Sequence, residues 1–112
     1  MTTLIVGLTV MVAYYALCAW LVYGRGPFRF AYNPYIAPWL RRLGKVAITI
    51  GARCYVAHPS YLFGQDKLYN HEREHYRQQF AHPFTFFPLY LFRLARYGYR
   101  NHPDEIAARD AE

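Results

Sequence analysis

The longest apolar stretch lies at the front of the chain. Residues 2–24 carry no charge, and Leu4-Ile5-Val6, Leu8, Val10-Met11-Val12, Leu17 and Leu21-Val22 fall within it. A run of about 20 apolar positions is long enough to span the hydrocarbon core of a bilayer. The pattern then changes. Residues 25–45 are interrupted by Pro27 and Pro34, and read as a basic, aromatic-rich linker. Within it, residues 36–43 predict a short amphipathic helix with Trp39 and Leu40 on one side and Arg41-Arg42 on the other. Over residues 46–56, Val46, Ile48 and Ile50 alternate with Ala47 and Thr49, and Cys54-Tyr55-Val56 adds a second strand-like run. Gly51-Ala52 between them suits a two-residue hairpin turn that takes glycine first.

A loop is expected over residues 57–65. Asp66 is the expected N-cap of a helix running to about Phe80 and closed by Pro83. Residues 84–97 predict a second helix, too short to span a membrane and interrupted by Arg93 and Arg96, so a core-filling element. Gly98 to His102 breaks the chain, and Pro103 suits the first position of a last helix over residues 104–111. The elements add up to an α+β chain: a transmembrane anchor (1–24), a juxtamembrane linker (25–45) and a hairpin plus three-helix domain (46–112).

Charge sharpens the membrane reading. The net charge is +6, and all seven acidic residues lie at or beyond Asp66. The Arg and Lys residues of the front half, Arg25, Arg29, Arg41, Arg42, Lys45 and Arg53, therefore stand unbalanced just past the apolar run. No such residue precedes it, an asymmetry that favours a cytoplasmic location for the C-terminal part. Anionic lipid headgroups account for these cations, and no nucleic-acid motif accompanies them, so nucleic acid is not an expected partner. A cleaved signal peptide fits less well, since no basic residue precedes the run and no small-x-small site follows it. Cys18 in the span and Cys54 in the hairpin read as packed thiols with no bridge between them.

The chemistry concentrates in His71-Glu72-Arg73-Glu74-His75. Four residues apart on a helix, the two histidines share a face, one turn from each other, and can grip one zinc ion. Glu72 projects beside such an ion, where it suits a general base toward an activated water. The inner pair Arg73-Glu74 is charged, whereas active metallopeptidases usually carry uncharged residues there. A third ligand is needed. A second histidine-motif extension would require Gly at 78 and His at 81; Gln78 and Ala81 stand there, which removes His82 as the natural choice. Glu105 remains, and spacing alone leaves it open between a ligand and a first-turn carboxylate that favours the helix dipole.

The segment from His71 to Gln78, preceded by Ile48-Thr49-Ile50-Gly51-Ala52-Arg53-Cys54-Tyr55-Val56 and followed by Tyr99-Arg100-Asn101-His102-Pro103-Asp104-Glu105-Ile106-Ala107-Ala108, resembles the pattern of minimal gluzincins. These are small thermolysin-like zinc domains that include the minigluzincins, and the likeness covers roughly residues 44–112. The resemblance implies a zincin-like fold, zinc as cofactor, Glu105 as third ligand and a peptide or protein substrate. It also implies a strand that binds extended peptide by edge pairing, a role expected of Arg53, Cys54, Tyr55 and Val56 more than of residues 46–50. Tyr97, Tyr99 and His102 are candidates for the donor that steadies an oxyanion. The expected function is a membrane-anchored zinc metallopeptidase; the alternative is a zinc-binding structural or interaction module without catalysis.

Overall fold

The computed structural model describes residues 1–63 and 66–112. Among these the chain is α+β, with five α-helices, one three-stranded sheet and a 3₁₀ turn at Pro59–Leu62. The loop expected over residues 57–65 contains that turn, and its positions 64 and 65 lie outside the described residues. In order the elements are α1 (Thr2–Tyr23), β1 (Arg29–Ala31), α2 (Ala37–Arg42), β2 (Ala47–Ile50), β3 (Arg53–Val56), α3 (Asp66–Ala81), α4 (Phe86–Tyr97) and α5 (Pro103–Asp110).

The hairpin is where the alternation places it. β2 and β3 pair antiparallel with Ile50 opposite Arg53, and Gly51 holds φ +62° at the first turn position. That glycine does a second job: a Cβ there would run into the carbonyl of Leu21. The N–H of Ala52 donates to the same carbonyl at 2.9 Å. The turn thus sits on the last coils of α1, where Cys18 and Val22 are fully buried.

The expected domain boundaries do not survive this packing. Residues 25–45 are no linker: β1 pairs parallel with β3, Arg29 opposite Arg53, and α2 buries Ala37 and Leu40 against the sheet. A three-residue strand is too short to leave a readable alternation, so only pairing reveals it. Arg53 fastens the same stretch, donating to the carbonyls of Arg25 (2.7 Å) and Pro27 (3.2 Å). Within α2, Trp39 and Leu40 do not share a side; Leu40 is buried and Trp39 is 69% exposed, as a 100° step between neighbours requires. α3 is described from Asp66, and the expected cap lies at the edge of the described residues. Nor does α4 fill the core. Of its twelve residues only Phe86 is buried.

The sheet order is β1-β3-β2, which puts β3 in the centre with both edges paired. An extended peptide cannot add to Arg53, Cys54, Tyr55 and Val56, because their backbone groups already serve β1 and β2. β2 is the outer strand next to α3.

Candidate metal centre

Helix α3 presents three different faces, and each has its own partner. Tyr76 stacks on Phe28 at 5.1 Å and Phe80 meets Tyr23 edge-on at 4.9 Å, fixing one face against β1 and α1. Glu72 and Gln79, seven residues apart, face β2. The Gln79 amide accepts from the Gly51 N–H (2.5 Å) and donates to the Thr49 carbonyl (2.8 Å). That leaves His71, His75 and Gln78 turned toward α5, whose first turn carries Glu105.

There the expected triad assembles. His71 Nε2 stands 3.1 Å from Glu105 Oε2, and His75 Nε2 stands 3.0 Å from Glu105 Oε1. One donor atom from each residue lies within 4.8 Å of the others, and the three residues are buried at 8%, 7% and 3% exposure. The group could hold a metal ion. Two imidazoles and one carboxylate are a donor set that suits a divalent transition-series cation.

The outward nitrogens support that fit. His71 Nδ1 contacts Glu112 Oε1 at 2.9 Å, and His75 Nδ1 contacts Gln78 Oε1 at 3.1 Å. The Gln78 amide nitrogen donates to the Asp104 carbonyl at 3.0 Å, so its oxygen is the end that faces His75. In neutral rings both acceptors favour the proton on Nδ1, which would leave the Nε2 atoms facing Glu105 free to ligate an ion.

Electrostatics follow from the crowding of these groups. The hydrogen bond to Glu105 raises the His71 pKa despite partial burial. Burial pulls His75 down, but its hydrogen bond to Glu105 and the nearby carboxylate charges outweigh that and leave it raised. Burial likewise works to raise Glu105, and the two histidines overcome it, driving the carboxyl far below the usual range. Without an ion, a proton on the imidazoles supplies the positive charge that Glu105 is built to face.

Glu72 is buried and accepts a hydrogen bond from Thr49 Oγ1 at 2.6 Å through Oε2. Threonine is ordinary in a strand, so nothing in the sequence marks Thr49 for this. The charged pair inside the motif turns away from the centre: Arg73 is exposed, and Glu74 pairs with Arg77.

The oxyanion candidates sort themselves. Tyr99 is near the site; burial, then the charge of Glu105, push its hydroxyl up to about 12. Tyr97 stands at the outer end of α4, 46% exposed, with Arg96 over its ring, and does not join the group. His102 is fully buried and already committed. Its Nδ1 accepts from the Asp104 N–H (3.1 Å) as the N-cap of α5, and its Nε2 donates to the Tyr90 carbonyl (2.9 Å). It positions Glu105 and cannot serve an oxyanion. The residue that spacing missed is Tyr90, whose hydroxyl donates to Glu105 Oε1 at 2.6 Å. Burial raises its pKa, so it stays protonated. Among twelve tyrosines, no local signal separates it from packing.

Comparison of the chain with models of protein families, with curated proteins and with solved structures gave no match.

Proposed function

We propose that this protein is a membrane-anchored zinc-dependent metallopeptidase with a zincin-like domain of the minimal gluzincin kind. The observation that carries the reading is the buried convergence of His71, His75 and Glu105, with Glu72 beside them on α3. Those three side chains would hold the ion. Bound there, zinc would acidify a water and polarise the carbonyl of a peptide bond.

The chain's own residues supply the rest. Thr49 holds Glu72 through Oε2, leaving Oε1 to take up a proton during attack and return it to the leaving amine. Tyr99, kept protonated, is a neutral donor for developing negative charge, while Tyr90 spends its hydroxyl proton on Glu105 and orients that carboxylate. The outer edge of β2, beside α3, is the place for an extended peptide to pair. Helix α1 is long and apolar enough to cross a membrane. We assign it as a single-pass anchor, with the remainder of the chain cytoplasmic by the placement of its basic residues.

The second reading is a zinc-binding structural module at the membrane. It is favoured by the depth of the triad and by Thr49 already engaging Glu72, contacts that would serve a cross-link between α3 and α5 equally well.

Metal content and peptide cleavage by the detergent-solubilised chain decide between them. The peptidase reading expects one zinc per chain, cleavage by the wild type, and loss of cleavage but not of zinc in Glu72→Gln. Stoichiometric zinc with no cleavage across a diverse peptide library would establish the structural module. A chain that takes up no zinc would refute both.

A further inference from the structure

Helix α4 has an apolar face that the fold leaves uncovered. Pro88, Leu91, Phe92 and Ala95 recur at i, i+3, i+4 and i+7, so they form one stripe, and Leu91 and Phe92 are 65% and 61% exposed. The opposite side carries Phe86, which is buried, and Tyr90, which reaches Glu105.

The relation of α4 to α1 identifies what covers the stripe. Residues 2–13 of α1 are all exposed and clear of the rest of the fold. The stretch of α1 that is long and apolar enough to cross a bilayer is Thr2–Tyr23 as a whole, so a bilayer crossed by it includes the level of Tyr14 and Tyr15. At that level Phe84, two residues before α4, packs edge-on against Tyr15 at 4.8 Å. The polar groups there are satisfied internally, as lipid demands: the Tyr14 hydroxyl donates to the Phe84 carbonyl, and the Tyr23 hydroxyl to the Phe80 carbonyl at 2.9 Å. Phe80, 51% exposed, continues the apolar surface between the two helices. Of the two cations on α4, Arg93 is paired with Asp104 on the inner side, and Arg96 lies in the last turn, where its stem can reach headgroups.

We propose that α4 is a second membrane-contacting element, lying in the bilayer surface with the stripe of Pro88, Leu91, Phe92 and Ala95 in lipid. The inference rests on α1 being a membrane helix. It places the metal centre directly beneath a lipid-facing helix, within reach of chain segments close to the membrane.

Nitroxide labels test it in the full chain reconstituted into phosphatidylcholine–phosphatidylglycerol vesicles. Leu91→Cys and Phe92→Cys report on α4 and Leu8→Cys on α1; the native Cys18 and Cys54 are buried and escape labelling. The expected result is that all three labels gain relaxation by oxygen and lose relaxation by a water-soluble nickel complex. If the Leu8 label lies in lipid while both α4 labels remain open to nickel, the proposal is overturned and the anchor stands. If the α4 labels are shielded from both reagents and broaden one another, a second copy covers the stripe and the proposal also fails. A Leu8 label open to nickel removes the membrane reading itself, and this inference with it.

Discussion

Each ligand of the candidate centre is backed by a partner that fixes its orientation, and these pairs carry the sharpest predictions. Gln78 links His75 to the Asp104 carbonyl, so Gln78→Ala is expected to lower zinc affinity by about 10–100-fold while leaving the fold intact. Chelator competition would measure it, with Glu105→Ala losing tight binding altogether. Tyr90→Phe removes the hydroxyl that holds Glu105 and is expected to lower zinc affinity by about 10–100-fold in the same assay. Tyr99→Phe should leave zinc binding in place and reduce kcat by up to about 10²–10³-fold, with a smaller effect on KM.

The proton balance of the triad gives a prediction in pH. His71 and His75 are raised above their ordinary 6.5, so in the metal-free chain their contribution to stability is complete below 6.5 and disappears as pH climbs through the raised values. Glu105 is lowered from 4.5, so its contribution is present above 4.5 and disappears only as pH falls through the depressed value. An ion competes with the imidazole protons. The rise in Tm on adding zinc should therefore grow from about pH 5 to about pH 8, while the metal-free chain loses stability over the upper part of that range. Thermal unfolding with and without zinc would record both trends.

At the level of elements, the hairpin and α3 are joined through two small features. Gly51 combines a positive φ with close approach to α1, and Gln79 bonds both sides of the turn. Gly51→Ala must adopt left-handed backbone, costing about 1–2 kcal/mol, and must also displace Leu21. We expect it to lower the denaturation midpoint more than Ala or Ser substitutions at the exposed Gly44, which has the same sign of φ but open space around it. The order β1-β3-β2 also leaves β3 no backbone groups to offer an extended segment, since both of its edges are paired.

For the whole molecule, α1 packs as part of the same fold as the elements that follow it. Cys18, Leu21 and Val22 of α1 pack beneath the hairpin turn, and β1 and α2 complete the sheet side. A chain beginning at residue 25 would lose the burial of Val22 alone at a cost of about 1.5–3 kcal/mol, and it would expose the Gly51 turn. Such a fragment is expected to unfold at lower temperature than the full chain in the same detergent, by circular dichroism. Equal stability would restore the boundary at residue 24.

Much of this was written in short-range pattern. The uncharged run of α1, the alternation of the hairpin, and the four-residue spacing of His71 and His75 each follow from the period of a single element, and such periods are visible along a chain. Proline placed the start of α5, and glycine the hairpin turn, for the same local reason. What the chain alone left open is what depends on distant neighbours. By spacing alone Glu105 was equally a ligand or a helix-end carboxylate; the packing of α5 on α3 brings it to the two histidines. Tyr90, Thr49 and Glu112 came to the centre across gaps that leave no spacing to read, whereas His102, close to Glu105 in sequence, was drawn into capping. β1 lacked the length to declare itself, and α4 looked like core because an apolar side chain does not state whether the fold will cover it. Local periodicity sets which side chains share a face; only packing sets what that face meets.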